Sequence, residues 1–214
     1  MSDLALRYLA LGDSYTIGTG ASHPSVNFPS LLARKLEACT ARPVDVRNPA
    51  VNGFTTGDLI HMELAELERF NPDLVSVLIG VNDLVDGDGQ DEYRERLVRI
   101  YDAIARRVRT QGIAAISIPD FSVAPAAARF GAPAALAQRV ETFNRVAAEE
   151  ASRHGFRYLD LVSVSRSGVE KSGWFAADEL HPGDAQYAAW ADWLWPQLKT
   201  DWCSLAKRDY AAAQ

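Results

Sequence analysis

The stretch LRYLALGDSY, residues 6–15, decides how this chain is expected to fold. Its first six residues are mostly apolar, and a short apolar run of this length is typical of a buried β-strand. Gly12 and Asp13 then interrupt the run, and residues of these two types favour a turn or the start of a helix. The stretch therefore predicts a strand that ends at about Leu11 and a helix that begins at about Ser14.

The same alternation of short apolar runs with longer amphipathic segments continues along the chain. Strands that alternate with helices indicate a parallel sheet covered on both faces and joined by right-handed crossovers. We therefore expect an α/β fold, a three-layer α/β/α sandwich with a five-stranded parallel sheet. The predicted strands are 6–11, 44–48, 74–80, 113–118 and 156–161, and the predicted helices are about 26–38, 57–69, 90–110, 134–154 and 183–199.

Three of the predicted helices carry recognisable start signals. Asn27 is expected to cap the first helix, Thr56 to cap the second, and Pro133 to occupy the first turn of the fourth. No repeat, low-complexity segment or linker divides the chain. Residues 1–214 are therefore predicted to form one domain, with a flexible tail at 207–214.

The composition excludes several classes of function. Of the 214 residues, 23% are charged and the formal net charge is −6, whereas nucleic-acid-binding domains usually carry a basic surface. No apolar stretch approaches the roughly 20 residues that a membrane-spanning helix needs. We therefore expect neither a nucleic-acid partner nor membrane insertion, and the sequence leaves open whether the chain forms a homo-oligomer.

Cys39 and Cys203 are the only cysteines, and neither has a second metal-type ligand near it in the sequence. They are expected to be reduced thiols, with a disulfide as the alternative. The N-terminal residues, MSDL, lack the basic region and the cleavage pattern of a signal peptide. Both observations predict a cytoplasmic protein, and a signal peptide that has been removed is the open alternative.

The chemically reactive residues follow the predicted strands. Ser14 follows the first strand, Gly53 the second and Asn82 the third, and Asp178 and His181 lie in the long loop after the fifth. In a parallel α/β sheet the functional site lies outside the carboxyl ends of the strands. These residues are therefore expected to meet at one edge of the sheet.

Ser14, Asp178 and His181 are the residue types of a nucleophile, an orienting acid and a base. A serine needs a base to become a good nucleophile, and histidine suits that role near neutral pH. A spacing of three residues allows Asp178 to fold back on His181. Each motif also has a structural alternative: Asp13 or Ser14 can cap a turn, and the acid and the histidine can belong to an ordinary surface loop.

The turns after the second and third strands offer donors for a developing oxyanion. Gly53 presents a backbone N–H that no side chain shields, and Asn82 presents a side-chain amide at the end of the central strand. Together with the N–H of Ser14 they would form an oxyanion hole. Asn-Gly and Asn-Asp are also common turn formers, so ordinary turn chemistry is the alternative.

Four short blocks, in this order, resemble the GDSL, or SGNH, hydrolase family of lipases and esterases. They are GDSY at 12–15, NGFTT at 52–56, GVND at 80–83 and DELHP at 178–182. Tyr15 stands where the first motif has leucine. A GDS tripeptide alone is a weak signal, whereas four blocks in order with suitable spacing are a strong one.

The resemblance implies a fold, an activity and a set of site residues. The fold is a flavodoxin-like hydrolase fold, and the activity is ester hydrolysis through an acyl-enzyme without metal or organic cofactor. Ser14 is implied as the nucleophile, His181 as the base and Asp178 as its orienting partner. The implied oxyanion hole consists of the Ser14 and Gly53 amides and the Asn82 side chain.

The substrate is defined only in outline. Several loop side chains near the four blocks are expected to contact it, and each has packing beneath a loop as its alternative: Asp13, Phe54, Val85, Phe121 and Trp174. The segment 123–135, rich in Ala and Pro, is a candidate flap. We expect small soluble carboxylic esters. Lysophospholipase, thioesterase and acyltransferase activities are the alternatives, together with a catalytically silent binding protein.

The acidic run DGDGQD at 86–91 does not follow the EF-hand pattern, because its sixth position holds Asp91 rather than glycine. Its residues are expected to cap the helix that follows. The sequence therefore predicts no metal site.

Overall fold

The computed structural model describes the backbone of residues 5–212 and the side chains of residues 5–207. Five strands form one sheet in the order β2-β1-β3-β4-β5, and each neighbouring pair is parallel. The predicted α/β fold with a five-stranded parallel sheet is therefore confirmed. The strands are β1 (Leu6–Gly12), β2 (Val44–Arg47), β3 (Leu74–Leu78), β4 (Ile113–Ile116) and β5 (Arg157–Leu159).

Helices cover both faces of the sheet. Helix α2 packs against α9 on one face, and α6 packs against α7 on the other. Every residue of β3 and β4 is buried, as expected for central strands of a covered parallel sheet. As predicted, Asn27 caps α2 and Pro133 opens α7. The helices are α1 (Ser14–Ile17), α2 (Phe28–Thr40), α3 (Thr56–Asp58), α4 (Glu66–Phe70), α5 (Val81–Asp86), α6 (Gln90–Ala105), α7 (Pro133–Arg153), α8 (Val162–Arg166) and α9 (Asp184–Ala212), with a π turn at Leu59–Glu63 and 3₁₀ turns at Pro24–Val26, Thr110–Gly112, Phe121–Val123 and Pro125–Arg129.

The helix predicted at 57–69 differs from the structure in its cap and in its continuity. Thr55, not Thr56, is the N-cap, and it forms a capping box with Asp58. Thr56 instead turns inward and donates its hydroxyl hydrogen bond to Asp83. The segment is divided into α3, the π turn and α4, because the wide turn at Leu59–Glu63 interrupts the α-helical hydrogen bonding.

The acidic run 86–91 does not cap α6 with a side chain, contrary to the prediction. Gly89 is the N-cap, and Asp91 lies in the first turn, where it interacts favourably with the helix dipole. Asp88 pairs with Arg96 at 2.6 Å. Within residues 5–207, no group of three or more His, Cys, Asp or Glu side chains is arranged to hold a metal ion.

The last helix extends beyond its predicted end. Helix α9 continues to Ala212 and so enters the segment 207–214 that we expected to be flexible; residues 213 and 214 lie outside the described residues. It continues past residue 199 because Trp202, Leu205 and Ala206 are buried against the core. No helix in the described part of the chain combines the length and the apolar character needed to cross a membrane.

Cys39 and Cys203 form a disulfide between α2 and α9, so the expectation of reduced thiols is wrong. The two residues are 164 positions apart in the sequence, and their Cα atoms are 6.4 Å apart. They meet because α2 and α9 pack together on one face of the sheet. Spacing along the chain could not reveal this contact, since it depends on the tertiary arrangement.

Replacing both cysteines by alanine is expected to lower the free energy of unfolding by about 2–4 kcal/mol, because the crosslink restricts the unfolded chain over a long loop. Urea denaturation of the double variant, and of the unmodified protein with and without dithiothreitol, measures this loss. Equal midpoints for the oxidised protein and the variant would contradict the prediction. Activity measured well below the unfolding transition serves as the control and should be retained, because α2 ends at the edge of the sheet opposite the reactive residues.

Candidate active site

Ser14 lies at the tight turn where β1 ends and α1 begins. Asp13 caps α1, since its Oδ1 accepts a hydrogen bond from the Tyr15 N–H at 3.0 Å. Gly12 has a φ of +155°, and a Cβ at this position would lie 2.2 Å from the carbonyl oxygen of Leu78. Only glycine fits this approach of β1 to β3. The turn places Ser14 at the carboxyl end of the sheet. The capping role that the sequence offered for Asp13 is confirmed.

Asp178 and His181 lie in a closed loop between α8 and α9. An antiparallel bridge pairs Phe175 with Pro182 at the base of this loop. The N–H of Ala176 donates a hydrogen bond to the carbonyl oxygen of His181 at 2.8 Å. The loop is thus fixed by its own backbone bonds, and it holds the acid and the histidine on one short segment.

The Asp178 carboxylate contacts His181 directly. Oδ2 lies 2.6 Å from the ring Nδ1, and Oδ1 accepts hydrogen bonds from the Leu180 and His181 N–H groups at 3.0 Å each. Burial raises the pKa of Asp178, but these hydrogen bonds outweigh it, and the pKa falls below its usual value. A carboxylate can only accept, so the neutral ring carries its proton on Nδ1. Nε2 is then left with its lone pair available as a base.

The loops that carry Ser14 and His181 pack against each other. The ring of Tyr15, next to Ser14, lies 6.2 Å from the His181 ring in an edge arrangement. Beyond α1, Ser22 donates hydrogen bonds from its N–H and its hydroxyl to Asp184, at 2.8 and 2.6 Å. Among the described residues, none hydrogen-bonds the Ser14 hydroxyl, and contacts of this kind often tighten only when substrate binds.

The segments around Gly53 and Asn82 are also in contact. The Asn82 Nδ2 donates to the Phe54 carbonyl oxygen at 2.8 Å, which leaves its second N–H free to donate elsewhere. Gly53 has a φ of +83°, and no atom lies within 4 Å of where its Cβ would be. Within the described chain, nothing accepts a hydrogen bond from the N–H of Ser14 or Gly53. Three donors of the predicted type are therefore available at this edge of the sheet.

The buried Asp83 links the segment around Gly53 to the segment around Asn82. It is fully buried, and it accepts hydrogen bonds from the Thr56 N–H at 2.9 Å and from the Thr56 hydroxyl. Arg96 of α6 pairs with the same carboxylate at 3.2 Å. Burial raises the pKa of Asp83, and the contacts with Thr56 and Arg96 partly offset that effect. Asp83 therefore fixes the distance between the turn that carries Gly53 and the helix that carries Asn82.

Three of the five side chains predicted to contact a substrate are not accessible to one. Asp13 is fully buried, and Trp174 and Phe121 are 1% and 5% exposed. Trp174 lies beneath its loop, where its Nε1 donates to a backbone carbonyl of α8, so packing is its role. Phe54 and Val85 are only partly buried where they pack against the core, so each keeps an accessible face.

Two exposed apolar side chains near the site were missed by the sequence analysis. Ile17 lies on α1, one turn after Ser14, and Val51 precedes the Gly53 turn; they are 41% and 43% exposed. Exposed apolar residues next to a reactive group would have been the signal, but exposure cannot be read from a single sequence. The candidate flap contacts the histidine loop through the Ala126 N–H, which donates to the Glu179 carbonyl oxygen at 3.0 Å.

Comparisons with known proteins show the family of this chain and proteins that share its fold. The model of the GDSL-like lipase/acylhydrolase family matches residues 10–189. A lipase from Streptomyces rimosus is 27% identical, and the match covers 73% of this chain and 70% of the lipase. The psychrotrophic esterase EstA from Pseudoalteromonas sp., solved with monoethylphosphonate as inhibitor, gives a TM-score of 0.70 at 18% identity, over 91% of this chain and 97% of its own. A variant of the acetyl xylan esterase Axe2 from Geobacillus stearothermophilus gives a TM-score of 0.66 at 20% identity, over 92% and 97%.

Proposed function

Because the chain belongs to the GDSL-like lipase/acylhydrolase family and is a carboxylic ester hydrolase, we propose that it cleaves small carboxylic esters through an acyl-enzyme on Ser14. The observation that carries this proposal is the Asp178–His181 pair, joined at 2.6 Å on the same sheet edge as Ser14. A nucleophile, a base and an orienting acid are the minimum set for this chemistry.

In the first half of the reaction Ser14 is acylated. Its Oγ attacks the ester carbonyl carbon while Nε2 of His181 takes the hydroxyl proton. Asp178 stabilises the imidazolium that forms. The carbonyl oxygen becomes an oxyanion, and it accepts hydrogen bonds from the N–H groups of Ser14 and Gly53 and from Nδ2 of Asn82. The C–O bond of the ester then breaks, and the alcohol leaves with the proton from His181.

In the second half the acyl-enzyme is hydrolysed. A water molecule gives its proton to Nε2 of His181 and attacks the acyl carbon, and the same three donors hold the second oxyanion. The bond to Ser14 Oγ breaks, and the proton returns to that oxygen. The carboxylic acid leaves and the enzyme is restored.

Short acyl groups fit the surroundings of the site better than long ones. The burial of Phe121 and Trp174 removes two of the three aromatic side chains that we expected to contact a substrate. Phe54 and Val85 contribute only partial faces. The structural similarity to an acetyl xylan esterase supports an acetylated substrate, and the similarity to a lipase supports the alternative of longer acyl chains, including those of lysophospholipids or thioesters.

Two experiments test this function. A fluorophosphonate probe should label the protein at Ser14, detected by mass spectrometry, as the phosphonate-inhibited esterase suggests. With p-nitrophenyl esters from acetate to palmitate, kcat/KM should fall beyond about four to six carbons, because methylenes outside an apolar pocket add no binding energy. Absence of both labelling and hydrolysis would favour the catalytically silent binding protein. A preference for palmitate would move the substrate class to lipids, and products formed with a competing alcohol would reveal acyl transfer.

The cytoplasmic location expected from the sequence conflicts with the Cys39–Cys203 disulfide. Thiols are kept reduced in the cytoplasm, and stable disulfides form in oxidising compartments. We therefore propose that the protein works in an oxidising compartment. The redox state of the two cysteines, measured in protein isolated under alkylating conditions, tests this proposal. Free thiols would contradict it and would agree with a cytoplasmic location.

A further inference from the structure

Glu63 is a buried acid at a position where the helix pattern calls for an apolar side chain. It stands in the series Leu59, Glu63, Leu67 and Phe70, which all point into the core. The π turn Leu59–Glu63 places the Glu63 side chain in the core. Such π turns within helices are frequent at functional sites. Glu63 has no exposed surface, and in the reaction described above it makes no contact with substrate.

The carboxyl group of Glu63 reaches the serine turn. Its Oε2 accepts a hydrogen bond from the Gly12 N–H at 3.0 Å, two residues before Ser14. Among the side chains that the structure describes, nothing bonds the other oxygen, Oε1, or the Oδ2 of the neighbouring Asp13. A buried carboxyl oxygen without a hydrogen-bond partner lowers the stability of the folded protein. Stability alone therefore does not explain why residue 63 is an acid.

We propose that Glu63 is a positioning residue for the nucleophile, and that its bond to the Gly12 amide holds the end of β1 and so fixes the turn that presents Ser14. Gly12 pairs with Leu78 of β3 at a place with no room for a Cβ, and only Asp13 separates it from Ser14, so a shift of its amide moves the serine turn. Displacements of about 1 Å at a reacting group can lower rates by roughly 10²-fold. This inference rests on the proposed function, since it assigns Ser14 as the nucleophile.

The charge state of Glu63 supports the same role. Burial raises its pKa to about 8, the Gly12 bond lowers it, and the nearby Asp13 raises it further. The groups that face this region are Asp13 at the end of β1, Asp83 of α5, and Tyr93 and Arg96 of α6. Glu63 is therefore mostly protonated at pH 7, where a negative charge would oppose the developing oxyanion. Ionisation above about pH 8 introduces that charge.

Two substitutions of Glu63 distinguish a positioning role from a purely structural one. Glu63→Leu keeps the volume but removes the acceptor, and it is expected to lower kcat on p-nitrophenyl acetate by about 10- to 100-fold, with KM changed less than about twofold. Glu63→Gln keeps an acceptor oxygen, so at about pH 6 it should recover kcat to within about threefold of the unmodified protein. In the unmodified protein kcat should decline above about pH 8, and this decline should be weaker in Glu63→Gln.

Glu150 supplies the matched control. It is also a buried glutamate, but it pairs with Arg94 and Arg153 at the far end of α7. Glu150→Leu should lower the melting temperature because Arg153 loses its bond to this carboxylate and Arg94 keeps only its bond to Glu149, while kcat should remain that of the unmodified protein. Stability against pH gives a second readout. The folded pKa of Glu63 lies above its ordinary value, so the free energy of unfolding should fall between about pH 5 and 8, less steeply in Glu63→Gln than in Glu150→Gln.

Two results would overturn the inference: folded Glu63→Leu with unchanged kcat, or equal losses of kcat in the leucine and glutamine variants. If Glu63→Leu fails to fold, the glutamine variant decides, and an alkaline decline identical to that of the unmodified protein overturns the inference. Failure of the proposed function is distinguishable, because it would appear as full activity in Ser14→Ala, or as no hydrolysis and no phosphonate labelling in the unmodified protein, whatever the behaviour of the Glu63 variants.

Discussion

Replacing Ser14 by alanine is expected to lower kcat on p-nitrophenyl acetate by at least about 10⁴-fold, and by as much as about 10⁶-fold. Without the hydroxyl no acyl-enzyme can form, and only the oxyanion donors remain to assist direct attack by water. KM should change little, since the side chain removed is small and binds no part of the leaving group. Steady-state kinetics with the purified variant measures the loss, after removal of traces of unmodified enzyme by reaction with a fluorophosphonate.

Ser25→Ala is the matched control for this experiment. Ser25 is a half-buried serine in the 3₁₀ turn after α1, and among the described residues its hydroxyl and its N–H contact the ring of His23. Its replacement should leave kcat and phosphonate labelling as they are in the unmodified protein. Activity retained in Ser14→Ala would remove the serine mechanism altogether, and a covalent adduct at another serine would relocate the nucleophile.

The second large effect is expected at Asp178. Asp178→Asn should lower kcat by about 10³- to 10⁴-fold, because the amide can donate to Nδ1 of His181 and so favour the tautomer with the proton on Nε2. In that tautomer Nε2 cannot accept the proton of Ser14. The imidazolium formed during attack also loses its stabilising charge. Measurement of kcat across pH, together with KM at a single pH, tests this prediction.

Asp184→Asn is the appropriate comparison, since Asp184 follows His181 by three residues and is also an exposed acid held by hydrogen bonds. It contacts Ser22 rather than the histidine ring, so its replacement should change kcat by less than about threefold. If Asp178→Asn kept more than about a tenth of the original kcat, another group would have to orient His181, and the role proposed for Asp178 would be withdrawn.

Much of the fold could be predicted from the sequence because its signals are local. Each strand is a short apolar run, and the structure places all five within a few residues of the predicted bounds. Asn27 and Pro133 mark helix starts through their own backbone chemistry. The predicted end of α9 was too early because burial of Trp202, rather than any local signal, keeps that part of the helix on the core.

The site could be predicted only in part. Ser14, Gly53, Asn82 and His181 follow strands or lie in one loop, and the carboxyl ends of parallel strands meet at one edge whatever the details of packing. Which aromatic side chains face a substrate depends instead on loop packing. Trp174 shows this, since its indole is buried although its loop carries the histidine.

The sequence by itself determined the parallel sheet and the edge of that sheet at which Ser14, Gly53 and Asn82 lie, because these follow from apolar periodicity, turn-forming residues and strand order. Only the tertiary structure decided the Cys39–Cys203 disulfide, the burial of Trp174 and the contact of Glu63 with Gly12. The disulfide and the Glu63 contact join residues that are 164 and 51 positions apart, and the Trp174 indole is buried by the way its loop folds back onto α8. No local pattern specifies such a meeting, because its free energy arises from the whole packed core rather than from the residues that touch.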